Sequence, residues 1–253
     1  FQNNFFKKIT SYFSSSIKKL DTVFVVNENS KNLIEHYGNK NVVICGDLRY
    51  DNVIPNLTIE HEEIISKFID GKRCIVFGST WEEDERLILK YINESERDLK
   101  YIIAPHEIGE NCNRIKQIIK KKSILFSEIK SNQSKGDFSC LIIDNIGMLS
   151  SIYNYSSISY VGGGMGKKGL HNTLEPAYFS KPIIIGKNYQ KFEEANEMIK
   201  NGNMISISNY NEFYNAIESI IDNENLLIKM SKKCTEYFDK KKGAVKIILN
   251  DLK

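Results

Sequence analysis

The sequence predicts an α/β protein built on a Rossmann-like, doubly wound parallel sheet. Three observations carry that reading. Short, continuously apolar runs alternate with amphipathic stretches along most of the 253 residues, and strands that are apolar on both faces belong in a sheet covered on both sides. Strand followed by helix, repeated, is the signature of parallel pairing. The runs also end in loops rich in Gly, Pro, His and Asn, and open α/β sheets hold their ligands beyond the carboxyl ends of the strands.

The predicted strands cover residues 22–26, 42–45, 73–77, 101–104, 124–126, 140–143, 158–161, 183–185 and 204–207. Helical patterns fall between them, at 82–93, 111–121, 146–153, 174–179, 192–201, 211–221 and 226–239. A polar stretch with a proline, Asp51 to Asn56, separates residues 1–54 from residues 55–253. Some fifty residues are too few to close a doubly wound domain. Residues 1–54 therefore read as an edge of the larger domain or the tail of another. The chain opens without Met, at Phe1-Gln2-Asn3-Asn4, in an aromatic and basic amphipathic segment running to Leu20, as though an upstream portion were missing.

Composition is that of a globular protein, 41% apolar and 26% charged. Of the 35 basic residues only five are Arg, and the net charge is +3. Nucleic-acid binders concentrate charge and favour Arg for bidentate contacts, so that class is set aside. Five widely spaced Cys form no CxxC pair, which predicts buried free thiols rather than zinc or disulfides. No apolar run has the length of a membrane span.

The loops at the strand ends carry the chemistry. Tyr160-Val161-Gly162-Gly163-Gly164 leads into Gly169-Leu170-His171-Asn172-Thr173-Leu174-Glu175-Pro176-Ala177. Glycines permit close approach of a ligand to the backbone, the free N–H groups of a new helix favour an anion, and a Glu one turn in accepts hydrogen bonds from a ribose diol. After the 73–77 strand, Gly78-Ser79-Thr80-Trp81-Glu82-Glu83 offers capping-box spacing (Ser79 with Glu82, Thr80 with Glu83) or a hydroxyl and backbone nest for phosphate. After the 101–104 strand, Pro105 ends the run and aims His106 into the cleft. After the 140–143 strand, Asp144 or Asn145 caps a helix beginning near Ile146-Gly147-Met148. Four strand ends with loops of this kind describe one nucleotide-sugar site.

These motifs, in this order, resemble the signature loops of 3-deoxy-D-manno-octulosonic acid (Kdo) transferases of lipopolysaccharide synthesis. Cys45-Gly46-Asp47-Leu48-Arg49-Tyr50-Asp51 is similar to that family's crossover between two domains. The resemblance runs from about Asp21 onward, and His171-Asn172-Thr173-Leu174-Glu175-Pro176-Ala177 is its most specific part. It implies a GT-B glycosyltransferase that moves Kdo from CMP-Kdo to the lipid A precursor, lipid IVA, at the cytoplasmic face of the inner membrane. Residues 55–253 would be the donor-binding domain, and residues 1–54 the tail of the acceptor domain with the crossover, the last helix packing back on that domain. The family's CMP contacts fall on Pro105 and His106, on Ile146, Gly147 and Met148, and on Asn172, Thr173, Leu174 and Glu175. Ser79, Thr80, Gly162, Gly163 and His171 border them. Lys167 or Lys168 would face the phosphate. No metal or other cofactor is implied.

Three positions depart from the pattern. His106 stands where the family has Arg, Met148 where it has Glu, and Thr173 where it has Pro, which suits a first helical turn without being required there. The family's general-base Glu and its membrane anchor have no counterpart in these 253 residues, so the chain is expected to bind donor and to be inactive alone. Two other readings share the pattern. One is a UDP-sugar GT-B transferase or UDP-GlcNAc epimerase-like enzyme, and the other is a non-catalytic nucleotide-sugar-binding fragment.

Overall fold

The structure is a computed structural model that describes residues 14–53, 58–130 and 136–252. Most of the amphipathic segment predicted for residues 1–20, and residues 54–56 of the predicted boundary, lie outside the described residues. The described residues fall into two compact units, one drawn from Phe1–Asn52 and Asp239–Lys253, the other from Val53–Phe238.

In the smaller unit, β1 (Val23–Val25) pairs in parallel with β2 (Val42–Ile44). The helix Glu28–His36 joins them and starts where Asn27 accepts from Ser30 N–H. The helix Ala244–Asp251 belongs to the same unit. Asp51 accepts from the Gly243 and Val245 amides, at 2.7 and 3.0 Å, and so supplies the cap that neither Gly243 nor any neighbour carries.

The larger unit holds a seven-stranded sheet: β3 (Cys74–Thr80), β4 (Lys100–Pro105), β5 (Ser123–Leu125), β6 (Cys140–Ile142), β7 (Ile158–Val161), β8 (Ile183–Gly186) and β9 (Met204–Ile207). Their order is β5-β6-β4-β3-β7-β8-β9, with every pairing parallel. From β3 the chain passes to β4, then to the edge strand β5 and back to β6 between them; from β7 it runs through β8 to β9 on the other side. The reversal therefore lies between β3 and β7, where Gly78 pairs with Val161. A crevice opens at such a point because successive helices leave to opposite sides. Strands β3, β4 and β6 to β8 are buried throughout except at Ser79, which is why their sequences are predominantly apolar. Phe77, Tyr101, Tyr160 and Phe213 form the aromatic centre of the core. All five cysteines are buried and unpaired.

The sequence reading of the helices needs correction. The helix expected over 146–153 is one turn, Leu149–Ile152, followed by a 3-10 turn at Tyr153–Tyr155. Gly147 has φ +95°, and Asp144 is bound to Ser127, so nothing continues the helix upstream. The helices Ile59–Ile69, Ala244–Asp251 and the short Phe126–Lys130 were not anticipated. In the first, acidic and basic residues interrupt the apolar pattern and only Ile65, Phe68 and Ile69 are buried. No helix among the described residues is long and apolar enough to cross a membrane.

Candidate functional site

The end of β3 is where the site begins. Its register shifts between Gly78 and Thr80, and Ser79 takes φ +52°, an uncommon value for a residue with a side chain. Neither Ser79 nor Thr80 caps the following helix, Glu82–Glu94, in contrast to the capping box expected from sequence. Trp81 is the N-cap residue, and its N–H donates back to Asp84 Oδ2 at 3.0 Å. Thr80 turns inward instead and donates to Glu85 Oε1 at 3.2 Å.

Asp84 and Glu85 are both fully buried at the head of this helix. Asp84 also accepts from the Gly163 amide (2.8 Å) and the Tyr160 hydroxyl (2.7 Å). Glu85 is held by Thr80, by Asn111 Nδ2 at 3.1 Å and by an ion pair to Arg114. Burial pushes the Glu85 carboxyl up from its ordinary value, against the pull of Asn111 and Arg114. Tyr160 is pushed well up by burial and by the Asp84 carboxylate it donates to.

Three rings gather above the reversal point. Trp81 Nε1 donates to His171 Nε2 at 2.9 Å, and the two planes differ by 16°. His106 packs against both, with centroid separations of 4.4 Å to Trp81 and 4.5 Å to His171. Two rings joined edge to edge, with a third against them, make a flat aromatic surface. Lys168 Nζ lies 4.5 Å from the Trp81 ring, within cation–π range. Burial, with help from neighbouring His106, lowers the His171 pKa, while Asp84 opposes. His171 Nε2 must stay unprotonated to accept the indole N–H. Trp81 and Lys168 also line a cavity of about 660 Å³ that reaches past Glu107 to Asn111 and Arg114.

The glycines also meet a packing demand of the fold itself. A Cβ on Gly162 would collide with the Ser79 carbonyl, one on Gly163 with the Gly169 carbonyl, and one on Gly164 would stand 2.9 Å from Gly186 N. Gly163 also has φ +88°. Their small size lets backbone pack on backbone, so the loop after β7 is clamped against β3 and β8.

The helix after this loop is Leu174–Tyr178, five residues long. His171 and Asn172 precede it rather than lying in its first turn, and Thr173 is its N-cap residue with no capping bond. Asn172 organises the start: Oδ1 accepts from Leu174 N–H at 3.0 Å, and Nδ2 donates to Glu175 Oε1 at 3.1 Å. Burial raises the Glu175 carboxyl pKa. Thr173 and Leu174 are buried, and Thr173 Oγ1 has no hydrogen-bond partner.

Of the residues expected to bind donor, the structure brings Thr80, Pro105, His106, Gly162, Gly163 and His171 together. His106 N–H donates to Thr80 O and His171 N–H to Gly162 O. Asn172 and Glu175 come directly after. The 146–148 loop reaches this group through Leu149, which packs on Gly78, but its side chains diverge. Ile146 is 84% exposed, while Met148 is buried and its sulfur takes the Asn145 amide. Neither Asp144 nor Asn145 caps the next turn: Asp144 is bound to Ser127, while Asn145 spends its amide N–H on Met148 and its Oδ1 is buried without a partner. Among the described residues no group of three or more His, Cys, Asp or Glu is placed to hold a metal.

Sequence reasoning assigned no role to Trp81, Asp84, Glu85 or Tyr160. A signal was present: Asp84 and Glu85 precede buried Ile88 and Leu89 by one helical turn. They therefore share the inward face.

No family model matches the chain. Among curated proteins, it is 30% identical over 227 residues to the 3-deoxy-D-manno-octulosonic acid transferase of Rickettsia prowazekii, covering 85% of this chain and 48% of that protein. The corresponding enzyme of Haemophilus influenzae is 25% identical over 224 residues, 86% of this chain and 52% of that one. The chain is a relative of the Kdo transferases. A bifunctional glycosyltransferase/methyltransferase of Fusobacterium nucleatum is also similar, 26% identical over 228 residues, 87% of this chain and 35% of that protein. The chain thus spans between about a third and a half of the length of these curated relatives.

Among solved structures, the C-terminal CMP-Kdo binding domain of WaaA from Acinetobacter baumannii superposes with a TM-score of 0.58 at 18% identity, over 70% of this chain and 98% of that one. UDP-GlcNAc 2-epimerase from Neisseria meningitidis does so with a TM-score of 0.60 at 15% identity, over 90% of this chain and 60% of that one. Both likenesses bear on the fold alone, a parallel α/β sheet.

Proposed function

We propose that this chain supplies the donor-binding half of a glycosyltransferase that moves Kdo from CMP-Kdo to a lipid A precursor in lipopolysaccharide synthesis at the inner membrane. One observation carries the reading: the loops bearing the Kdo-transferase-like motifs meet where the parallel sheet reverses, around the Trp81, His106 and His171 rings. An open α/β sheet binds its ligand at that point.

In this reading Pro105 and His106 border the cytosine, Glu175 takes the ribose hydroxyls with Asn172 fixing its carboxylate, and the clamped loop at Gly162 and Gly163 sits by the phosphate. The helices at Leu149 and Leu174 are too short to offer a field of their own. Positive charge for the departing CMP phosphate therefore falls to Lys168, exposed beside Trp81, with Lys167 next to it. Fixed positive charge placed where a leaving group gains negative charge lowers the barrier more than most other devices available to such a site. Residues 1–54 would belong to the acceptor side and the crossover, and residues 55–253 to the donor side.

The test has two arms. In titration calorimetry the chain should bind CMP and CMP-Kdo, with UDP and UDP-GlcNAc at least an order of magnitude weaker. In the second arm, CMP-Kdo and lipid A precursor incubated with this chain should give no glycosylated lipid by mass spectrometry. A positioned base is worth about 10²–10⁴-fold in rate, and the acceptor surface must also be supplied. Preference for UDP would replace the reading by the epimerase-like or UDP-sugar one. Robust product would show that the base lies within these residues.

A further inference from the structure

Asp84 touches no open surface: it is fully buried, and both carboxylate oxygens are engaged inside the fold. Its three donors come from separate pieces of the site. The Gly163 amide belongs to the clamped glycine loop at φ +88°. The Tyr160 hydroxyl belongs to β7. The Trp81 amide belongs to the residue whose indole meets His171 and His106. Removing the acceptor would strand the buried Gly163 N–H and free the Trp81 backbone at once, and such groups are rarely left unpaired.

We propose that Asp84 is a positioning residue for donor binding. Through one buried side chain it presets the glycine loop and the Trp81–His171 aromatic surface before any nucleotide arrives. It acts by hydrogen-bond geometry rather than by its charge. Preset donors and rings spare the ligand the cost of ordering them. The inference rests on the donor-site reading above.

The test compares Asp84→Ala with Asp84→Asn. In the Asn variant the side-chain oxygen can accept from Gly163 and Trp81 while the amide nitrogen donates to the Tyr160 oxygen, so the geometry survives and the charge does not. Asp84→Asn should keep CMP affinity within about threefold of wild type, and Asp84→Ala should lose about tenfold or more. Trp81 is the single tryptophan, so its emission reports the aromatic surface without ligand. It should move toward that of free indole in Asp84→Ala and stay at the wild-type position in Asp84→Asn. Equal affinities and equal emission in wild type and Asp84→Ala would overturn the proposal, and so would a loss in Asp84→Asn as deep as in Asp84→Ala.

Should Asp84→Ala fail to fold, amide hydrogen exchange on the wild-type chain decides. The Trp81 and Gly163 amides should already be slow in the free protein and gain little on adding CMP, whereas fast exchange in the free protein overturns presetting. The emission and exchange arms need no ligand. If wild type fails to bind CMP, the proposed function falls while these arms still decide what Asp84 does.

Discussion

Trp81 Nε1 donates to His171 Nε2 across 90 residues of sequence, and the two rings lie within 16° of a common plane. That one bond joins the loop after β3 to the loop after β7 across the reversal of the sheet. It exists only while His171 Nε2 is free to accept.

The bond makes Trp81 emission sensitive to acid. His171 titrates below the ordinary imidazole value, chiefly because it is buried and secondarily because His106 is near. A depressed folded value means that the unfolded chain takes up its proton first, so the contribution to stability is whole above about pH 6.5 and is lost as pH falls through the folded value. Emission should therefore change in a step centred below pH 6.5. His171→Gln should abolish that step, and its persistence would assign the step to another group.

Glu175→Gln should weaken CMP binding by about 1.5–3 kcal/mol while the melting temperature holds or rises slightly. Burial raises the Glu175 carboxyl pKa, so ionisation is disfavoured in the fold and its stability contribution fades as pH climbs from about 4.3 through the folded value. The Gln variant should lose that segment of the pH–stability curve. Calorimetric titration and melts between pH 4 and 7 measure both.

Gly78→Ala should destabilise the sheet by about 1–3 kcal/mol. A Cβ there would collide with the Tyr153 hydroxyl and approach Leu149 Cδ1 to 2.9 Å. Tyr153→Phe in the Gly78→Ala background should recover part of the loss. Strictly additive effects in chemical denaturation would show that the collision is not the cause.

Arg114→Ala should cost about 1–2 kcal/mol. Breaking a buried pair is usually worse, but Arg114 is 41% exposed in its side chain while Glu85 is 1%, and Asn111 and Thr80 still satisfy the carboxylate. Adding Glu85→Gln should recover much of the loss, because a neutral amide needs no counter-charge. Urea titration of the single and double variants checks the sign.

The sequence by itself determined the class of fold and the nine strands. A strand buried on both faces must be apolar at every position, as Cys140–Ile142 and Ile183–Gly186 are, and that signal is local. The loops were legible for the same reason: Gly, Pro, His and Asn mark strand ends wherever they occur. Only the tertiary structure decided which strand ends meet, because strand order depends on crossovers that leave no local trace, and β3 lies beside β7 although Gly78 and its partner Val161 are 83 positions apart. It decided that backbone packs against the glycines after β7, that the loop before Leu149 turns Ile146 outward, and which donors meet Asp84 and Glu85 inside the fold. Helical spacing puts Asp84 and Glu85 on the inward face with Ile88 and Leu89, but it does not say what satisfies a charge there. That is settled by the donor at the far end of the hydrogen bond, and for Asp84 two of those donors, Tyr160 and Gly163, lie 76 and 79 residues away.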